Sequence, residues 1–289
     1  MKALVFGTTG QLGIELARTA PRGTLLLAFG REAADLAHPE TCAALVATTD
    51  VDVVINAAAY TAVDAAETDR ETAHLVNAEA PGAMARAAAR RAIPFLHVST
   101  DYVFDGSGTR PWREEDPVAP LGVYGQTKLA GERAIIAADG PHAILRTSWV
   151  FSAHGRNFVK TMLRLAAERE TLSVVDDQRG GPTAAADIAV TLWTVARAFA
   201  EGRGSSGVFH YAGAPTVSWA GFAEAVLAAS ALARRPSVRR IASADYPTPA
   251  RRPANSALDC ARIRATYGIE QPDWRASLAR VIRELEATA

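Results

Sequence analysis

Tyr124 and Lys128 stand four residues apart in YGQTK. On a helix that spacing puts both side chains on one face, one turn apart. A tyrosine with an ordinary pKa of about 10 is a poor proton donor at neutral pH unless a neighbouring cation stabilises its phenolate. Lys128 supplies that cation. A third group is expected just after the run PFLHVS, where STDYVFDG offers the hydroxyls of Ser99 and Thr100. Thr100 is assigned. A hydroxyl there donates to a substrate carbonyl oxygen and stabilises the alkoxide that develops as hydride arrives, while Tyr124 supplies the proton. Alone, such a tyrosine–lysine pair is more often packing plus a solvated amine. Its meaning depends on what precedes it in the chain.

What precedes it is GTTGQLG, with Gly7, Gly10 and Gly13 directly after an apolar run and at the start of a helical pattern. One glycine permits the tight turn, and another lets the backbone approach a pyrophosphate. The helix amino terminus adds free N–H groups and a positive dipole, so Gln11 and Leu12 are counted with the glycines as cofactor contacts. A dinucleotide therefore supplies the hydride. At the end of the second apolar run, FGREAADL sets Arg31 where a guanidinium fork suits a ribose phosphate, ahead of Asp35 and Leu36. NADPH is expected, with NADH the alternative. After VDVVIN come the small residues Ala57, Ala58 and Ala59, between Asn56 and Tyr60, which let backbone and cofactor come close.

These residues need a frame. Short apolar runs at Lys2 to Phe6, Leu25 to Ala28, Val51 to Asn56, Pro94 to Ser99 and His142 to Thr147 read as strands. Helical stretches lie between them, among them Gln11 to Ala20, Pro39 to Thr48 and Ala80 to Arg91. Alternation of this kind predicts an α/β fold with a doubly wound parallel sheet, whose ligands sit beyond the carboxyl ends of the strands. After Trp149 glycine and proline clusters at DDQRGGPT, EGRGSSG and YPTPARRP break the pattern. The expected organisation is a dinucleotide-binding domain over residues 1–150, to which residues 183–213 return. Residues 151–182 and 214–289 form a smaller substrate-binding region.

The 289 residues carry 31 basic and 31 acidic side chains, so no overall field draws the chain to nucleic acid or to an anionic membrane. Cys42 and Cys260 are too few for a disulfide framework or a zinc site, and a reducing cytoplasm fits them. The opening MKALVFGTTG reaches glycines where a signal peptide would still be apolar, and no stretch attains the roughly 18 to 20 apolar residues of a spanning helix.

Nearly end to end, the chain resembles the dTDP-4-dehydrorhamnose reductases, members of the extended short-chain dehydrogenase/reductase superfamily with its Rossmann-type sheet. The likeness rests on GTTGQLG, NAAAYTAVDAAE, STDYVFDG, VYGQTKLAGE, LRTSWVF, DQRGGPT, SWAGFAEAV and RPANSALD. It implies reduction of the C4 keto group of a nucleotide-activated sugar, dTDP-4-dehydro-6-deoxy-L-mannose, with catalytic roles for Thr100, Tyr124 and Lys128. It implies that the NAA segment lines adenine and ribose, and it brings sugar contacts to Asp101, Tyr102 and Trp149. Arg252 and Asn255 in RRPANS suit a nucleotide diphosphate or base. Some members hold magnesium between glutamates at a dimer interface. Glu15 matches one such position, but the region around Asp187 reads AAADIA and the last helix offers only Glu284 or Glu286. Glu15 is therefore expected on a solvated face, with no metal, and a homodimer is the assembly the resemblance suggests. Two rivals remain, a related epimerase or reductase and a non-catalytic nucleotide-sensing subunit. The intact Thr100, Tyr124 and Lys128 argue against the second.

Overall fold

The computed structural model describes residues 1–232 and 234–288. Its main sheet is built from β1 (Lys2–Phe6), β2 (Leu25–Phe29), β3 (Val53–Asn56), β4 (Phe95–Thr100), β5 (His142–Thr147) and β6 (Gly207–His210). The spatial order is β6-β5-β4-β3-β1-β2 and every pairing is parallel. A parallel sheet is covered on both faces, so its central strands read as continuous apolar runs; all four residues of β3 are buried.

The helices α1 (Gln11–Arg18), α2 (Pro39–Thr48), α3 (Ala80–Ala89) and α4 (Val123–Ala137) follow successive strands. Beyond β5 come α5 (Phe158–Glu168), α6 (Ala185–Ala200), α7 (Trp219–Ala229) and α8 (Trp274–Ala287). On one face of the sheet, Leu12 and Leu16 of α1 share a core with Ile188, Leu192 and Trp193 of α6. On the other, Cys42 and Val46 of α2 pack with Met84 of α3 and Ile135 of α4. A separate core joins Val159 and Met162 of α5 to Phe222 and Val226 of α7 and to Trp274 and Leu278 of α8. It is floored by a parallel pair of strands, Thr171–Val175 and Ser237–Ile241.

The connection from β1 runs to β2 on one side, the next crosses back to β3 on the other, and the crevice opens at that switch point. Element ends differ from the sequence reading for local reasons. The first helix stops at Arg18 rather than Ala20, where the Thr19 hydroxyl donates to the Glu15 carbonyl and Pro21 follows. The fourth strand runs one residue further, to Thr100, whose Oγ1 accepts the Tyr102 N–H at 3.1 Å and starts a single tight turn. That extra residue places Thr100 at the mouth of the sheet.

Candidate functional site

Most of the singled-out residues converge on one cleft of about 720 Å³ at the carboxyl ends of β1 to β5. Gly7, Gly10, Gln11 and Leu12 form its floor on the first turn. Gly7 has a φ of 90°, and a Cβ there would lie 2.6 Å from the Ala58 nitrogen. Only glycine allows that crossing of two chain turns. Gly13 does not line the cleft: a Cβ on it would stand 2.1 Å from the Gly7 carbonyl oxygen, so its work is close packing of α1 on the turn. The first residue before α1 offers no side-chain cap, which leaves the helix N–H groups for an anion. This donor set fits a dinucleotide pyrophosphate.

Arg31, Asp35 and Leu36 line the outer end of the same cleft. The Arg31 side chain is 77% exposed and its Nε donates to Asp35 at 3.1 Å, leaving the two terminal nitrogens of the fork for a phosphate. Ala57, Ala58, Ala59 and Tyr60 form the opposite wall. That wall is pinned at two points. The Ala58 N–H donates to Asn56 Oδ1 at 3.1 Å, and Asn77 both accepts from the Tyr60 N–H at 2.9 Å and donates to the Tyr60 carbonyl. Asn56 itself is fully buried and outside the cleft lining, where it supports the wall through the Ala58 N–H. Asn77 sits in a π-type turn, Leu75–Glu79, whose wider loop frees a backbone stretch for such contacts.

At the inner end lie Thr100, Asp101, Tyr102, Tyr124, Lys128 and Trp149. Gly125 of YGQTK brings α4 onto the turn after β4, since a Cβ there would stand 2.2 Å from the Tyr102 carbonyl oxygen. The Tyr102 and Tyr124 rings then meet edge to face at 5.6 Å. Burial pushes the Tyr124 phenol up to about 12, with the Thr100 hydroxyl pulling the other way. Burial also pushes the Lys128 amine down to about 8, against the attraction of Glu132. Asp101 is 2% exposed; burial raises its carboxyl to about 7, against the opposing pull of the nearby Ser256 and Thr100 hydroxyls. Among the described residues, only Asp101 Oδ2 and Thr147 Oγ1 are buried side-chain atoms without a hydrogen-bond partner, and both residues line this cleft. Orphaned polar atoms here point to a polar ligand. Ser99, the rejected hydroxyl, donates to the Glu132 carboxylate beneath the sheet end.

Trp149 adopts a left-handed φ of 50° and stacks on Trp219 at 3.6 Å. Gly180 makes room, since a Cβ on it would lie 2.7 Å from the indole. A bulky residue in that conformation costs of order 1–3 kcal/mol, and such strain concentrates where a side chain must face a ligand. Arg252 and Asn255 stay outside the cleft lining. Arg252 makes a double ion pair with Asp64, at 3.1 and 2.9 Å, and Asn255 spends its amide on the Arg110 carbonyl and the Ala257 N–H. Their side chains hold the loop by these bonds.

Among the lining residues that escaped the sequence reading are Thr147, Arg156, Asn157 and Trp219. Asn157 was findable, since an asparagine before the helical run FVKTML is an N-cap signal. It caps α5 and also donates to Gln11 Oε1 at 2.9 Å, fastening the Arg156 loop to the glycine turn. Glu15, expected on a solvated face, is 5% exposed. It lies with His154 and Glu284 in a cluster whose ligand atoms fall within 4.8 Å of one another, and the Arg18 guanidinium pairs with both carboxylates.

A doubly wound parallel sheet with a glycine turn at its switch point and a tyrosine–lysine helix over the same cleft defines an extended short-chain dehydrogenase/reductase. The model of the family described as RmlD substrate binding domain matches residues 1–287, and the chain belongs to that family. The dTDP-4-dehydrorhamnose reductase of Burkholderia thailandensis is 47% identical, over 99% of each chain. That of Escherichia coli K12 is 42% identical, over 100% of this chain and 99% of its own. The crystal structure of dTDP-4-dehydrorhamnose reductase from Clostridium acetobutylicum superposes with a TM-score of 0.92 at 33% identity, covering 99% of this chain and 100% of that one. The Bacillus anthracis enzyme, solved in complex with NADP, gives 0.91 at 30% identity, covering 98% and 99%. No helix among the described residues is long and apolar enough to cross a membrane.

Proposed function

We propose that the chain catalyses the NADPH-dependent reduction of the C4 keto group of dTDP-4-dehydro-6-deoxy-L-mannose, giving dTDP-L-rhamnose. The observation that carries this reading is the single cleft with an anion-ready glycine turn at one end and Thr100, Tyr124 and Lys128 at the other. The dinucleotide, when bound, supplies the hydride, with NADPH preferred and NADH the alternative. Gly7, Gly10, Gln11 and Leu12 hold its pyrophosphate, Arg31 its outer phosphate, and the Ala57–Tyr60 wall its adenine side.

Tyr124 gives its phenolic proton to the sugar oxygen as negative charge develops there, and Thr100 donates a hydrogen bond to the same atom. Lys128 stabilises the resulting phenolate. Asp101, with one carboxyl oxygen unpartnered, contacts a sugar hydroxyl, and Tyr102 and Trp149 close on the ring. Residues 1–150 and 183–213 then serve the cofactor, while 151–182 and 214–289 serve the sugar nucleotide. Two buried, free cysteines suit a reducing cytoplasm, and a homodimer is the expected assembly, checked by light scattering.

The test follows NADPH absorbance with enzymatically generated dTDP-4-dehydro-6-deoxy-L-mannose, with the GDP-linked 4-keto-6-deoxymannose as comparison. Rapid oxidation with the first alone is expected. Oxidation with neither moves the assignment to another keto sugar or to a regulatory role.

A further inference from the structure

Beneath the cleft runs a chain of buried polar groups that the reaction as written leaves unused. It starts at the Ala58 N–H, whose hydrogen bond fixes which end of the Asn56 amide is oxygen. Asn56 Nδ2 therefore faces His97 Nδ1, at 3.1 Å. An amide nitrogen can only donate, so Nδ1 must accept, and a neutral imidazole with Nδ1 accepting carries its proton on Nε2. His97 is wholly buried and burial holds its pKa well below the ordinary value, so the ring is neutral. Its Nε2 lies 2.9 Å from Lys128 Nζ. A proton is already on that nitrogen, and an ammonium can only donate. The contact is a hydrogen bond only when Lys128 offers a lone pair.

We propose that His97 is a positioning residue for Lys128: fixed as an acceptor by Asn56, it aims its Nε2–H at the amine and opposes the ammonium form. The lysine is thereby poised between charged and uncharged states, which is what a group that must answer a phenolate appearing and vanishing within one turnover requires. The other groups facing Lys128 do not cancel the effect. On its own helix Tyr124 is a neutral phenol, and Glu132 is engaged by Arg146 and Ser99; in the turn after β4, Asp101 accepts from Thr100. The Val98 carbonyl accepts from Lys128 at 2.7 Å in either state. Because Ala58 lies against Gly7, the same strut ties the cofactor wall to the lysine.

His210 is a built-in contrast. Its Nδ1 lies 3.0 Å from the Trp112 carbonyl and so must donate, while its Nε2 faces the Arg146 guanidinium and must accept. The two buried histidines carry opposite tautomers.

The experiment is nitrogen-15 NMR of the full chain labelled at its six histidines, without cofactor. His97, assigned by its loss in His97→Gln or by replacing the other five in turn, is expected to be protonated on Nε2, and His210 on Nδ1. Asn56→Asp, whose carboxylate only accepts, is expected to move the His97 proton to Nδ1. A wild-type His97 protonated on Nδ1 overturns the assignment. The functional half rests on the reductase reading, whereas the spectrum needs no substrate, so each fails separately. In His97→Gln an amide oxygen can turn to the ammonium, and the high-pH limb of kcat is expected to rise by about one unit with the KM for NADPH changed less than about twofold. Asn56→Asp is expected to move the limb the same way should His97→Gln not fold. An unmoved limb in a folded variant overturns the role, because a merely structural histidine would lower stability and leave the limb in place.

Discussion

Two polar clusters lie one strand apart under the same sheet end, and they are built on opposite rules. In the first, Arg146 grips Glu132 through two hydrogen bonds of 2.9 and 2.7 Å, Ser99 donates to the same carboxylate, and the guanidinium lies over the Phe104 ring at 5.1 Å. Every charge there has its opposite, sealed from the cleft. In the second, Lys128 is only 1% exposed yet touches no carboxylate; its partners are a neutral ring and a carbonyl. A buried charge with its counter-charge holds a fold together, and a buried amine without one is held ready to change charge.

The largest expected effect falls on the unpaired side. Tyr124→Phe removes the only proton donor placed by Lys128, and turnover should fall by about 10² to 10⁴ with NADPH binding, followed by fluorescence titration, almost unchanged. Unaltered turnover would remove the tyrosine from the chemistry. Replacement by methionine then separates the clusters. Arg146→Met strands the Glu132 carboxylate and should lower unfolding stability by about 3–5 kcal/mol in a denaturant titration. Lys128→Met should change it by about 1 kcal/mol or less while turnover collapses. Equal stability losses in both would erase the distinction.

A smaller effect concerns Asp101. Its folded-state carboxyl, raised to about 7 from 3.8, binds protons that the unfolded chain has released, so its burial costs stability increasingly as pH rises through that window. Asp101→Asn should therefore melt higher than the parent at alkaline pH, and the difference should shrink as pH falls from about 7 toward 4. A difference independent of pH would mean that Asp101 is ionised throughout. Smallest is Arg31→Ala, expected to raise the KM for NADPH by about three- to tenfold and leave that for NADH unmoved, since only the exposed phosphate fork is lost.

Much of this frame was legible in the chain because it is written in local rules. The apolar runs gave five of the six main-sheet strands, and GTTGQLG with YGQTK placed both ends of the cleft. The sixth strand, Gly207–His210, escaped because it emerges from the glycine-rich EGRGSSG segment and its neighbour β5 lies 64 positions earlier. Long-range polar accounting was equally hidden. Asn56 and Asn255 read as ligand contacts from their motifs, yet Asn56 is engaged by the Ala58 N–H and the His97 ring, and Asn255 by backbone groups. His97 offered one clue, a polar residue inside an otherwise apolar strand, but its partners lie 41 residues before it and 31 after. Glu15 was misjudged for the same reason, since the groups it lies beside, His154 and Glu284, come from distant parts of the chain.

The central claim is a net reduction at C4, and deuterium labelling tests it most directly. With NADPH carrying deuterium at the transferable position and dTDP-4-dehydro-6-deoxy-L-mannose as substrate, the product should carry one deuterium at C4 for each cofactor consumed. A product epimerised without label and without net loss of NADPH would contradict the account.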